Sequence, residues 1–229
     1  MNHLHRIFIS LAILLSALTL NAQENIRIED SPAKLESFFT FDVLSSLNTY
    51  SPRWRVGYIR DIDPKWKVGL NLGCGNKNIS YTYFADKFEE DYKLWEIRPE
   101  LYYVRKRSQK ATTYASFELY YINHKDVFHN SSYIPVEGGC FSYDQADYLR
   151  QKYGFNVNIG TFNNLGRKLG LNFYTGIGLK IRNNSFSDII NPEPTECFER
   201  DMYDDFEYRQ KEGLRAGFNF SIGLKLFVK

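Results

Sequence analysis

Residues 124–132 bring together five side chains of the kinds used in acid–base and nucleophilic chemistry: His124, Asp126, His129, Ser131 and Ser132. A hydroxyl becomes a nucleophile when a base is held against it and a third group holds the base. One stretch of sequence shows no such arrangement, and histidines are common in exposed connections, so no catalytic residue is assigned. A second concentration is acidic: Asp188, Glu193, Glu196, Glu199, Asp201, Asp204, Asp205, Glu207 and Glu212 outnumber Arg200, Arg209 and Lys211. Clustered carboxylates can hold calcium, but the spacing fits no EF-hand loop. The segment reads as a solvated surface, and neither a metal nor a cofactor is expected. The three cysteines show no CxxC or Cys/His spacing of a zinc site. Cys140 and Cys197 fall in the two longest connections, where a disulfide between them is one reading and two free thiols the other. Cys74 takes an apolar register in a strand.

The remaining charges are organised by alternation. Across residues 214–226 every second position is apolar (Leu214, Ala216, Phe218, Phe220, Ile222, Leu224, Leu226), and Arg215, Gly217, Asn219, Ser221, Gly223 and Lys225 stand between them. That period of two belongs to a strand with unlike faces. The small and amide residues of the polar face suit a crowded, watery interior better than open solvent. The run also exceeds the common strand of about five or six residues and matches a tilted membrane span of roughly nine to eleven.

The same pattern recurs upstream and predicts strands over residues 37–47, 53–62, 66–81, 94–105, 112–123, 152–162 and 168–182, with 214–229 last. Their polar faces carry Asp42, Arg53, Arg55, Lys67, Glu96, Arg98, Glu100, Glu118, Lys180, Arg182, Arg215 and Lys225. Both signs are present, so these residues are expected to pair and fill a narrow lumen rather than line a channel. Residues 48–52 form a tight connection, and from there short turns alternate with long loops. Two of the long loops are placed at 124–150 and 183–213. Within the first of them, Ser142 and Gln145 ahead of Ala146, Tyr148 and Leu149 could cap a helical turn.

His3, His5 and Arg6 precede an apolar run over residues 7–20, followed by Asn21, Ala22 and Gln23. Residues 1–22 therefore read as a secretory signal peptide, too short in its apolar part for a spanning helix, and polar residues 23–36 as a periplasmic lead-in. Mean hydropathy is −0.43 and 24% of residues are charged, which excludes a helical membrane protein. A barrel survives, because alternate residues face water and the loops are wet. The 29 basic and 27 acidic residues nearly balance, which points away from nucleic acid.

An even strand number, alternating loop lengths and aromatics at both ends of the apolar faces (Trp54, Trp95, Tyr121 and Tyr153 at one level, Trp66 and Tyr103 at the other) are features of outer-membrane barrels. Over residues 37–229 the chain resembles the small eight-stranded outer-membrane barrels of Gram-negative bacteria, the OmpA/OmpX-like class. The resemblance is carried by the alternating last strand and by the segment Glu96-Ile97-Arg98-Pro99-Glu100-Leu101-Tyr102-Tyr103. It implies an all-β fold, an eight-stranded antiparallel up-and-down transmembrane β-barrel, monomeric in the outer membrane. Its partners would be outer-membrane lipid and an extracellular ligand at the long loops. A structural or surface-interaction role is expected. The alternatives are a lipid-modifying enzyme with a rim site and a secreted lipocalin-like barrel with its apolar residues turned inward around a ligand.

Overall fold

Period-two alternation dominates the long elements of the computed structural model, which describes residues 35–48, 51–77, 91–196 and 210–229. In chain order these are β1 (Ser37–Asp42), α1 (Val43–Ser46), β2 (Trp54–Asp61), β3 (Trp66–Asn76), β4 (Lys93–Arg107), β5 (Ala111–Tyr133), β6 (Cys140–Asn164), β7 (Leu169–Ile190), β8 (Glu193–Thr195) and β9 (Gly213–Val228). The predicted leader and residues 23–34 of the lead-in lie outside the described residues. Each long strand pairs antiparallel with the one before it, and β9 pairs with both β7 and β1. With β5 on β6, the sheet closes on itself as a ring of eight strands, and the three-residue β8 pairs with the outer end of β6.

The short turns and both ends of the ring-forming sequence meet at one end of the ring. At the first turn Ile62 N–H donates to the Trp66 carbonyl (2.9 Å) and Lys65 N–H to Asp63 Oδ1 (2.6 Å). At the second, Ser108 N–H donates to the Ala111 carbonyl (2.8 Å), and at the third Leu165 N–H to Leu169 (2.9 Å). Lys229 N–H reaches the Lys168 carbonyl, and its Nζ lies 2.7 Å from Glu36.

Side chains sort by parity. Along β4 the even positions from Leu94 to Val104 are buried and the odd ones exposed. Many outward-facing apolar side chains stay open, Ile97 at 38% and Phe220 at 82% among them, whereas Lys67, Glu118 and Lys225 keep only 1% inside. Near the short-turn end the interior is aromatic. Phe38, Ile59, Tyr102, Tyr114, Phe162, Tyr174 and Phe227 form one buried cluster, with Tyr114 and Phe162 rings 4.8 Å apart and Phe38 and Phe227 5.1 Å apart. Gly170 makes room for it, since a Cβ there would fall on the Phe227 ring and the Asn163 carbonyl.

Three expectations about element limits change. The first strand does not run to residue 47: it ends at Asp42, whose extended backbone (φ −87, ψ 107) and carboxylate cap α1 by accepting from Ser45 N–H at 3.0 Å. A serviceable N-cap outweighs the alternation of Val43 and Leu47, so α1 stands between β1 and the predicted connection at 48–52, of which residues 49 and 50 lie outside the described residues. Segments 124–150 and 183–213 are not loops throughout. β5 and β6 continue as a hairpin with His129 opposite Gln145 and Tyr133 opposite Phe141, and β7 runs on to Ile190. The predicted helical turn at Ser142 is strand as well. There the stabilising contacts are aromatic and local: Tyr143, Ala146, Tyr148 and Phe186 pack with Phe128 and Tyr133 partly beneath them. Gly138 and Gly139, at φ +93 and +81, reverse the chain between β5 and β6.

Candidate functional site

Inside the ring, strands β1, β2, β4 and β5 bring acids and bases to one level. Glu96 is the hub. Arg55 Nε donates to its Oε1 at 2.5 Å, Arg98 Nε to its Oε2 at 3.0 Å, and Arg53 Nε stands 2.9 Å from Oε1 off the hydrogen-bonding direction. Arg55 Nη1 continues to Asp42 Oδ2 (2.6 Å), which also accepts from Tyr174 OH (3.1 Å). Arg98 Nη1 continues to Glu118 (2.8 Å), which accepts from Asn156 Nδ2 (2.6 Å). Nearer the short turns Lys225 Nζ lies 2.8 and 3.1 Å from the two oxygens of Glu100, which also accepts from Tyr102 OH. Lys67 pairs with Asp61, and Arg107 Nη1 is 3.0 Å from the same carboxylate.

Removing a charge from water costs several kcal/mol, and attraction offsets this only where partners fit closely. Here each of these buried acids touches a base, so the column is a polar core. Nine of the twelve residues predicted to face the lumen take part: Asp42, Arg53, Arg55, Lys67, Glu96, Arg98, Glu100, Glu118 and Lys225. Asp61, Tyr102 and Tyr174 were not among the predicted lumen residues, yet each shares its strand's inward parity, with Arg55, Glu100 and Asn172 respectively.

Lys180, Arg182 and Arg215 belong to a different region, towards the long-connection end. Lys152, also missed, stands opposite Arg182 on β7, and Arg182 stands opposite Arg215 on β9. Three cations thus occupy one cross-strand row, flanked along the strands by Arg150 and Lys180. Arg182 is buried, Lys152 and Lys180 are half-buried and Arg215 is exposed. Like charges directly opposite one another destabilise a sheet.

The residues of segment 124–132 are not gathered into a nucleophile and base. His124 is fully buried, edge-on to Tyr92 and Tyr148 (ring centroids 5.0 and 5.6 Å), with Nε2 3.6 Å from Asp126 Oδ2. Ser131 and Ser132 face Gln210, whose Nε2 donates to Ser132 Oγ at 3.1 Å. Cys140 is disulfide-bonded and Cys74 is free and exposed, while Cys197 lies outside the described residues, as do Glu199, Asp201, Asp204, Asp205 and Glu207 of the acidic segment. Among the described residues no group of three or more His, Cys, Asp or Glu side chains is placed to hold a metal. Compared with family models, curated proteins and solved structures, the chain matches none.

Proposed function

We propose that the chain is an integral outer-membrane protein: an eight-stranded up-and-down transmembrane β-barrel of Gram-negative type, exported by its leader, with a structural or surface-interaction role. One observation carries this reading, the inversion of polarity across the wall. Burying a large apolar side chain stabilises by about 1.5–3 kcal/mol, so leaving the whole belt from Phe39 to Phe220 in water would forgo tens of kcal/mol, against a net stability of about 5–15 kcal/mol for a domain. A bilayer removes that penalty. The belt is bordered as a membrane would require: Trp95 and Tyr121 pair at one level (ring centroids 5.1 Å), and Trp66 and Tyr103 at the other (5.2 Å).

The interior supports a core rather than a conduit, because ion pairs fill its middle and the aromatic cluster closes its short-turn end. The lipocalin-like alternative would need an apolar interior where Glu96 and its three arginines sit. A rim enzyme is the weaker reading too, since Ser131 and Ser132 turn to Gln210 rather than to His124. The projecting β5–β6 hairpin, with Tyr133 and Phe141 near its tip (ring centroids 5.9 Å), offers the surface for an extracellular partner. The test is fractionation of expressing cells followed by gel mobility with and without boiling. The chain is expected in the outer-membrane fraction with a mobility that changes on heating. A chain that stays monodisperse in buffer without detergent refutes the proposal.

A further inference from the structure

Charge is sorted along the ring from one rim to the other. Beyond the long-connection rim, residues 126–149 and 183–196 contain no Lys or Arg, and their acids include Glu137, Asp144, Asp147, Asp188, Glu193 and Glu196. At the short-turn rim the sign reverses. Arg60 and Lys65 belong to the first turn and its approach, Arg105 and Lys110 to the second, Arg167 and Lys168 to the third, and all six are exposed. The carboxylates of this rim are engaged elsewhere. Asp61 holds Lys67 and Arg107 inside the ring, Asp63 Oδ1 accepts from the N–H groups of Lys65 (2.6 Å) and Trp66 (3.0 Å), and Glu36 pairs with Lys229 (2.7 Å). Among the described residues, no carboxylate forms an ion pair with any of the six.

These cations stand at the foot of the apolar belt. Arg60 takes the outward parity of Trp54, Val56 and Tyr58 and lies opposite Val68 on β3. Arg105 follows Tyr103 at the register shift between Val104 and Lys106, and Lys168 directly precedes the exposed Leu169. Trp66 and Tyr103, the paired aromatics of this end, are the sequence neighbours of Lys65 and Arg105. A long cationic side chain beside an apolar surface buries its stem there and keeps its charge in water. Next to a level of Trp and Tyr, that position is the headgroup layer of a bilayer. The distribution also narrows the partner. A small anion, or one protein docked from the side, would be met by cations gathered on one face, whereas these are spread over all three turns. Outward charge around the whole circumference fits a negatively charged surface that surrounds the ring.

We propose that the short-turn rim is a collar for anionic phospholipid, in which Arg60, Lys65, Arg105, Lys110, Arg167 and Lys168 hold the phosphate headgroups of the leaflet beside the short turns. The inference rests on the outer-membrane reading and adds to it a lipid class and a leaflet. It also gives insertion a direction, because an anionic leaflet attracts this rim and repels the acidic projections of the other.

The experiment uses the full chain purified from membranes in a maltoside detergent and first checked for heat-dependent mobility. It is then titrated with equal amounts of phosphatidylglycerol and phosphatidylcholine, and the lipids retained are counted by native mass spectrometry. The parent is expected to hold phosphatidylglycerol in preference. Arg105→Gln with Lys110→Gln, at one turn, should lower the number of phosphatidylglycerol molecules held and leave a preference. Replacing all six cations by Gln should lower the preference at least fivefold, following roughly 1 kcal/mol for each cation at an anionic headgroup. Lys93→Gln with Lys125→Gln, exposed and opposite each other towards the far rim, should behave as the parent does. An unchanged preference in the six-Gln variant overturns the collar, and an equal loss in the far-rim variant overturns its assignment to this rim. Loss of the whole preference on changing one turn overturns the encircling arrangement in favour of a single anion site. Pyrophosphate retained as tightly as phosphatidylglycerol, with the same dependence on the six cations, overturns the lipid assignment. A mobility of the parent unchanged by boiling overturns the membrane reading beneath it.

Discussion

The two ends of the interior solve the problem of buried charge in opposite ways. At the short-turn end each charge has an opposite partner and is roofed by aromatic rings: Lys225 rests on Glu100 and within 5.1 Å of the Tyr174 ring centre, and Lys67 lies on Asp61 and 4.6 Å from that of Phe38. At the long-connection end cations stand opposite cations, Lys152 against Arg182 and Arg182 against Arg215, with Lys152 5.6 Å from the Tyr120 ring centre. The first arrangement is what stability alone would select. The second sets like charges opposite one another across the strands, an arrangement that by itself weakens a sheet.

Mutations can break or sharpen this contrast. The largest effect is expected from Glu100→Ala, which strands the Lys225 ammonium in a dry site and should destabilise by about 3–5 kcal/mol; Arg215→Gln at the long-connection end should change stability by less than about 0.5 kcal/mol. Urea unfolding in detergent, followed by loss of the fast-migrating band, measures both, and equal effects would erase the distinction. Next is a pair of glycines. Gly170→Ala drives a methyl group into Phe227 and a neighbouring carbonyl and should cost about 1–3 kcal/mol, whereas Gly217→Ala meets, among the described residues, only Lys180 Cε at 3.5 Å and should be tolerated. The smallest effect is outside the wall. Burial in the β5–β6 hairpin pushes the Tyr143 hydroxyl from 10.0 up to about 12, so the neutral phenol is the form the folded hairpin favours. Its contribution is complete below pH 10, falls as pH rises through about 12, and should appear in the difference between the tyrosinate titrations of the parent and Tyr143→Phe.

Much of the wall was legible because a period of two is a local property. Trp54, Val56 and Tyr58 face out and Arg55 faces in whatever else the chain does, and the short turns were marked by Pro64 and by Asn163 with Gly166. What stayed hidden was set by contacts distant in sequence. His129 and Ser131 read as loop residues because their faces are not cleanly apolar, yet Gln145 and Tyr143 on β6 complete their ladder. Asp42 read as one more inward carboxylate, whereas its cap on Ser45 also ends β1 and limits the described β1–β9 pairing to Lys225–Val228. Partner choice among the interior charges was likewise beyond a parity argument, which places Glu96 and Arg98 inside without saying that Arg53 and Arg55 converge on one oxygen of Glu96.

The pairing of Phe39 with Val228 ties almost the first described residue to almost the last. Such a contact closes a very long loop, so its entropic cost is high and it is expected to form late. Until Phe227 and Val228 have been synthesised the nascent sheet has two raw edges, each a template for another copy. Under the outer-membrane function proposed above, holding the chain open until it meets lipid would keep both of those edges from pairing with a second copy.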